Sequence, residues 1–228
     1  MENKKLINSF PFVRHLKNGF DGNALIEKAT SFYTFMDERR SCRDFSDKPI
    51  PKTVIENIIL TASTAPSGAH KQPWTFCVVS NPKIKTQIRI EAEKEEFESY
   101  NNRMPEEWKK DLLPLQTDWK KPFLEIAPYL IIVFKKSYDI DDEGNKTNVY
   151  YANESCGLAC GFLLAAIHNA GLVALTHTPS PMNFLTKVLD RPANEKPYLL
   201  IPVGYAAKEC WVPDIERRGF DKVVKFYE

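Results

Sequence analysis

The chain has 228 residues, 43% of them hydrophobic and 27% charged, with a formal net charge of +1. That length and apolar content suffice for one sizeable core, while the near-neutral charge gives neither nucleic acid nor an anionic membrane a reason to bind. Five cysteines, odd in number and sparsely spread, exclude a disulfide framework and suit a reducing, cytoplasmic compartment.

Residues 1–22 mix charge, proline and glycine and read as an irregular arm. The opening M-E-N-K-K-L-I-N-S-F lacks an apolar core of signal-peptide length. Leu25 to Met36 has helical spacing. Directly after it, Arg39-Arg40-Ser41-Cys42-Arg43 gathers three guanidinium groups and a hydroxyl, a set able to grip a phosphate bidentately. Taken alone, such a run is also an ordinary solvated basic face. From Pro51 to Ala62 the apolar stripe Val54, Ile55, Ile58, Ile59 and Ala62 predicts a second helix. Thr53 and Glu56 allow a capping box there, and Pro51 allows an earlier start.

The loop Thr64 to Trp74, T-A-P-S-G-A-H-K-Q-P-W, organises the rest. Ser67 offers a hydroxyl, Gly68 permits close backbone approach, and the N–H groups of Gly68 and Ala69 are available to a flat anionic ligand. Pro66 and Pro73 stiffen its ends. By itself it is also compatible with a plain surface turn. A short strand, Phe76 to Val79, follows, and Asn81-Pro82 marks a helix start.

From Lys83 to about Tyr100 the pattern is helical but strongly charged. A second charged piece spans Pro105 to Leu113, and T-D-W-K-K-P-F completes the region. It has too little apolar surface for core and reads as a mobile cover. Glu96 and Tyr100 share a helix face, which is either solvated or, with Lys121, a set of groups complementary to an amino-acid zwitterion. Tyr129 to Phe134 is a continuous apolar strand buried on both faces, and Asp139 to Asn148 is an exposed acidic loop. Tyr150 to Ala170 is a long helix rich in small residues and ended by Gly171. Its longest apolar run, Gly157 to Ile167, is too short to span a bilayer. Cys156 and Cys160 share a face of it, but with no further ligand at metal spacing they read as small core residues, and no metal site is expected. Strands at Leu172 to Thr176 and Tyr198 to Val203 flank a short helix, Pro181 to Leu189. From Ala206 the chain reads as an arm.

Four short strands interleaved with helices predict an α+β sandwich. With no repeat, linker or low-complexity tract, residues 1–228 are expected to form one domain, with arms at 1–22 and 206–228 and a lid at 91–121. No Gly-rich phosphate motif announces a Rossmann site.

R-R-S-C-R-D-F-S followed by P-S-G-A-H-K-Q-P-W resembles the FMN-dependent nitroreductase superfamily. The longer T-A-S-T-A-P-S-G-A-H-K-Q-P-W-T-F resembles its halotyrosine-dehalogenating, iodotyrosine deiodinase branch. The resemblance runs from about Ala29 to Asp221. It implies a nitroreductase-like sandwich with a small mixed or antiparallel central sheet, in an obligate, domain-swapped homodimer with FMN at the interface. It implies that Arg39, Arg40, Ser41 and Arg43 form the first FMN-binding segment, in which Arg39 and Ser41 hold the phosphate side and Arg43 reaches the pyrimidine edge, and that Pro66 and Ser67 contribute from the loop. Arg217, or its neighbour Arg218, corresponds to the family's C-terminal arginine.

The segment Thr176-His177-Thr178 corresponds to the one lying over the flavin N5, with Thr178 as donor. His177 departs from the T-T-T-P form of the animal enzymes. A lone imidazole after a strand is ordinarily a hydrogen-bonded loop residue, and His177 receives no proton-transfer role. E-E-x-E-x-Y followed by T-D-W-x-K resembles the deiodinase lid. By that resemblance Glu96 takes the substrate ammonium, Tyr100 and Lys121 its carboxylate, and the Ala69 N–H its phenolate. The implied reaction is reductive dehalogenation of iodo-, bromo- or chlorotyrosine, with electrons from an external NAD(P)H-derived or reductase donor. The alternatives are a broad nitroreductase or quinone reductase, and a flavin- or halotyrosine-binding protein without turnover.

Overall fold

The computed structural model describes residues 3–15 and 19–228. Residues 1, 2 and 16–18 of the expected N-terminal arm lie outside the described residues. By internal contacts the chain divides into two compact units, Met1–Arg39 and Arg40–Glu228.

In the first unit, β1 (Lys4–Ile7) and β2 (Phe10–Val13) pair antiparallel as a hairpin. Asn8 and Ser9 form its turn with φ of 49° and 70°, the left-handed pair that matches strand twist. The expected arm is thus partly ordered as a hairpin. Helix α1 (Gly22–Asp37) extends the predicted helix by a residue or more at each end and buries none of its residues.

In the second unit the core is a four-stranded antiparallel sheet, in the order β3 (Trp74–Val79), β4 (Tyr129–Lys136), β8 (Glu195–Gly204), β7 (Val173–Ala174). A small hairpin, β5 (Asp139–Ile140) with β6 (Lys146–Thr147), orders part of the acidic loop. Leu130 to Phe134 of β4 are fully buried, because β4 is central and both its faces are covered. On one face α2 (Lys52–Ser63) packs beside α6 (Ala152–Asn169), through Ile55, Ile58 and Ala62 against Cys160, Leu163 and Ile167. On the other lie α3 (Pro82–Glu98), α5 (Phe123–Ile126) and α7 (Asn183–Val188), packed through Ile88, Ala92, Leu124 and Leu185. Among the described residues the other α-helices are α4 (Glu106–Leu112) and α8 (Phe220–Val223).

Local signals explain the boundaries. The Asn81 side chain accepts from the N–H groups of Lys83 and Ile84, with Pro82 opening α3. Gly171, at φ 72°, ends α6. The capping box at Thr53 does not form. Pro51 is the N-cap, which puts Thr53 inside the helix, and Glu56 instead pairs with Lys52 at 3.3 Å. The expectation that the whole charged region lies outside the core also needs correction. Ile88 and Ala92 are fully buried, because α3 keeps one apolar stripe beneath its charges.

Candidate active site

Two segments are fixed along the β7–β8 edge of the sheet. Ser41 bridges to Ala174, and Cys42 N–H donates to the Ala174 carbonyl at 3.1 Å. His177 exchanges backbone hydrogen bonds with Leu200, at 2.8 and 3.1 Å. Extended chain alternates its side chains, so Thr176 and Thr178 are exposed on either side of a buried His177. Beside this edge is a cavity of about 140 Å³ whose lining includes Arg43, Glu96, Tyr100, Lys121, Thr176, His177 and Thr178. Three sequence segments that are far apart therefore meet at one place.

The wall opposite the sheet comes from α3 and the chain after it. A π turn over Ser99–Arg103 continues α3, and Tyr100 within it donates its hydroxyl to the Thr117 carbonyl at 3.2 Å. Lys121 Nζ donates to the Asp118 carbonyl and, at 3.4 Å, to Thr117 Oγ1, and lies 3.7 Å from Glu96 Oε2. The Lys121 backbone N–H donates to Glu93 Oε1 at 2.7 Å, while Glu93 Oε2 holds Arg89 at 2.6 Å. Arg89 also reaches Glu125 at 2.6 Å. This chain of bonds fixes where Lys121 leaves the backbone.

Burial dominates the electrostatics. It pushes the Glu96 carboxyl above the usual carboxylate range, despite the opposing pull of Lys121. It also holds the Lys121 ammonium below the usual lysine range, despite Glu96, and raises the Tyr100 phenol. A well-compensated ion pair would move Glu96 and Lys121 the other way. At 3.7 Å their attraction falls short of what desolvation removes.

The remaining expected residues lie elsewhere. Arg40 donates through Nη2 to the Pro213 carbonyl. With Asp44, which binds the N–H groups of Ala207 and Trp211 at 3.0 and 3.2 Å, it ties the C-terminal segment to residues 40–46. Arg39 closes the first unit, its N–H donating to Met36 O at 3.2 Å. Ser41, Pro66, Ser67, Ala69, Arg217 and Arg218 are not among the residues lining the cavity.

The loop around Ala69 is nonetheless highly constrained. Ala69, His70 and Gln72 have φ of 49°, 55° and 46°, a conformation costing roughly 1–2 kcal/mol per residue without glycine. Ser67 Oγ accepts from Gln72 N–H at 2.9 Å. The Ala69 N–H donates to no group among the described residues. Several lining residues carried no sequence signal: Met104, Trp108 and Leu112 gave no helical stripe of core length, and the Glu93 link to Lys121 is long-range.

A central antiparallel sheet between helical layers, with an arginine and threonine hydroxyls at its edge, defines a flavin-binding α+β sandwich. The donor set fits FMN. Arg43 lines the cavity with no carboxylate partner among the described residues, and the exposed Thr176 and Thr178 stand with it. Residues 36–205 match the nitroreductase family. An iodotyrosine deiodinase of Haliscomenobacter hydrossis is 61% identical over 95% of this chain and 97% of its own. Human iodotyrosine deiodinase 1 is 42% identical over 98% of this chain and 76% of its own. A crystal structure of oxidised iodotyrosine deiodinase bound to FMN and 3-iodo-L-tyrosine superposes with TM-score 0.72 at 29% identity, covering 86% of this chain and 99% of that one. The chain belongs to the nitroreductase family, in its iodotyrosine deiodinase branch.

Proposed function

We propose that the protein is an FMN-dependent reductive dehalogenase of halotyrosines. One observation carries this reading: Glu96, Tyr100 and Lys121 line the same cavity as Arg43, Thr176 and Thr178. A general nitroreductase has no use for a carboxylate, a phenol and an ammonium facing its flavin site. A zwitterion between Glu96 and Lys121 gives each of two poorly compensated buried charges a full partner. The relatives named iodotyrosine deiodinase, and the related structure holding FMN and 3-iodo-L-tyrosine, support the same substrate and cofactor.

Arg39, Arg40, Ser41 and Arg217 would serve the FMN phosphate side, and Arg43 its pyrimidine edge. Pro66, Ser67, Thr176, His177 and Thr178 would complete its surroundings, with the Thr178 hydroxyl donating to N5. When bound, reduced FMN supplies two electrons. With one proton they replace the carbon–halogen bond by carbon–hydrogen and release halide. Glu96 binds the substrate ammonium, and Tyr100 and Lys121 its carboxylate. The Ala69 N–H, which donates to no group among the described residues, suits the phenolate. Closure of residues 91–121 excludes water and strengthens these polar contacts.

We also propose one functional domain over 1–228 and a homodimer in which the second subunit's 64–74 loop completes the site. Ala69 and Ser67 lie off the cavity, and Leu6, Phe10, Phe32, Trp211 and Tyr227 are exposed, which suits arms exchanged between subunits. An external NAD(P)H-derived or reductase donor, and a cytoplasmic setting suited to cysteines forming no disulfide, complete the reading. No described helix is long and apolar enough to cross a membrane. Purified protein should carry about one FMN per subunit and release halide from iodotyrosine under a reductant. FAD in its place, or flavin without halide release, would overturn the reading.

A further inference from the structure

His177 is a buried polar residue to which the zwitterion-binding scheme above gives no task. It is among the residues lining the cavity, only 7% of it is exposed, and Nε2 has no hydrogen-bond partner among the described residues. Its surroundings fix it on three sides. The backbone is bonded to Leu200 in both directions. Phe123 meets the ring edge to face, with centroids 5.8 Å apart at 84°. Nδ1 faces Glu96 Oε1 at 4.0 Å, while the other oxygen of that carboxylate faces Lys121 at 3.7 Å.

Burial, reinforced by Lys121 and Arg43, depresses the imidazole to about 3, so the ring is neutral at physiological pH. A neutral ring has one proton and two nitrogens to carry it. On Nε2, the proton would be a buried donor without an acceptor, and the Nδ1 lone pair would confront a carboxylate oxygen. On Nδ1, the proton points at that oxygen, and Nε2 remains a bare acceptor. The second tautomer removes both the orphan donor and the repulsion.

We propose that His177 is a positioning residue for the substrate ammonium: its Nδ1–H braces Glu96 through Oε1 and sets the direction in which Oε2 is offered. The inference rests on the assignment of Glu96 to the ammonium. A separation of 4.0 Å exceeds a direct hydrogen bond. The brace therefore requires Glu96 to turn about its soft terminal torsion as Oε2 moves from Lys121 to the ammonium. A neutral brace gives direction without adding a cation that would compete with the substrate for Glu96.

The two nitrogens can be told apart by substitution. In His177→Asn the amide N–H stands near the Nδ1 position, and in His177→Gln it reaches towards Nε2. His177→Leu has neither, and carries the comparison if the Gln variant does not fold. The measurement is calorimetric affinity of each FMN-loaded protein for iodotyrosine and for 2-iodophenol, which has no ammonium, with thermal denaturation alongside. The Gln and Leu variants should lose about tenfold for iodotyrosine, the lower end for a hydrogen bond to a charged group, and clearly less for iodophenol. The Asn variant should stay close to wild type for both ligands. Equal behaviour of Asn and Leu would overturn the Nδ1–H brace, and equal loss for both ligands would reduce His177 to a packing residue. If wild type itself binds the two ligands equally, the zwitterion assignment fails first and the brace fails with it. Preference in wild type that survives in every variant removes the brace alone.

Discussion

Glu96 and Lys121 face each other at 3.7 Å with 14% and 4% of their side chains exposed, yet burial moves both pKa values against the ion pair. On the proposed function the pair is a site for exchange: an incoming ammonium would replace Lys121 at Glu96, and an incoming carboxylate would replace Glu96 at Lys121. A ligand with only one of these charges leaves the other residue uncompensated. Glu96→Gln should lower iodotyrosine affinity by about 1.5–3 kcal/mol, the range for a hydrogen bond to a charged group, and leave iodophenol affinity and FMN content unchanged. Calorimetry with both ligands measures this. Wild-type affinities that do not distinguish them would return Glu96, Tyr100 and Lys121 to an ordinary polar wall.

The sequence made some of this legible for definite reasons. Asn81-Pro82 and Gly171 act locally, so the start of α3 and the end of α6 could be read directly. The apolar run of β4 is buried on both faces because the strand is central, and a central strand shows no alternation. The pairing of Lys121 with Glu93 and Glu96, or of Arg40 with Pro213, depends on contacts remote in sequence and leaves no periodic trace. The charges of α3 concealed Ile88 and Ala92, since two apolar positions among so many charged ones make a weak stripe. His177 looked like a loop residue because its burial comes from Phe123 and Glu96, on other segments.

The depressed His177 gives a pH signature. Its folded value of about 3 lies below the ordinary 6.5, so between those values the unfolded chain binds the proton that the folded chain refuses. Stability contributed by the neutral ring is fully present above about 6.5 and is lost progressively as pH falls towards 3. Glu96 acts in the opposite sense, since its raised pKa lets the folded protein take up a proton first. The contribution of His177 is therefore read as a difference: the melting temperature of wild type minus that of His177→Asn should fall as pH drops below about 6.5. A difference constant with pH would mean that the folded imidazole titrates normally.

Lys85 tests the frame behind the lid. Its side chain is buried, and Nζ donates to the carbonyls of Glu125 and Ala127, both at 2.7 Å, at the C-terminal end of α5. Lys85→Met keeps the aliphatic stem and removes both donors. Each carbonyl left without its partner costs about 1–3 kcal/mol, so chemical denaturation should show a loss of at least about 2 kcal/mol, taking the lower end for each. Because Lys85 does not line the cavity, affinity per folded molecule should persist. A loss within about 0.5 kcal/mol, the scale of an ordinary surface substitution, would show that water replaces the ammonium.

Gly68 tests whether the loop's conformation, and not only its composition, serves the site. A Cβ at this position would stand 2.9 Å from the Tyr150 carbonyl oxygen and 2.9 Å from Tyr151 Cδ2. Tyr151 is itself held at φ 50° where α6 begins, so the neighbour that must yield is constrained backbone. Gly68 N–H also reaches Ser155 Oγ at 3.4 Å, and displacement would stretch that contact. Gly68→Ala should destabilise by about 1–3 kcal/mol, the usual range for overpacking. It should also turn the Ala69 N–H away from the phenolate. The proposed phenolate contact would be common to both ligands, so iodotyrosine and iodophenol should lose affinity by similar factors, unlike the selective loss expected for Glu96→Gln. Calorimetry on the folded, FMN-loaded variant separates the two effects. Selective loss of iodotyrosine alone would place the influence of Gly68 on the zwitterion end and take the phenolate assignment from Ala69.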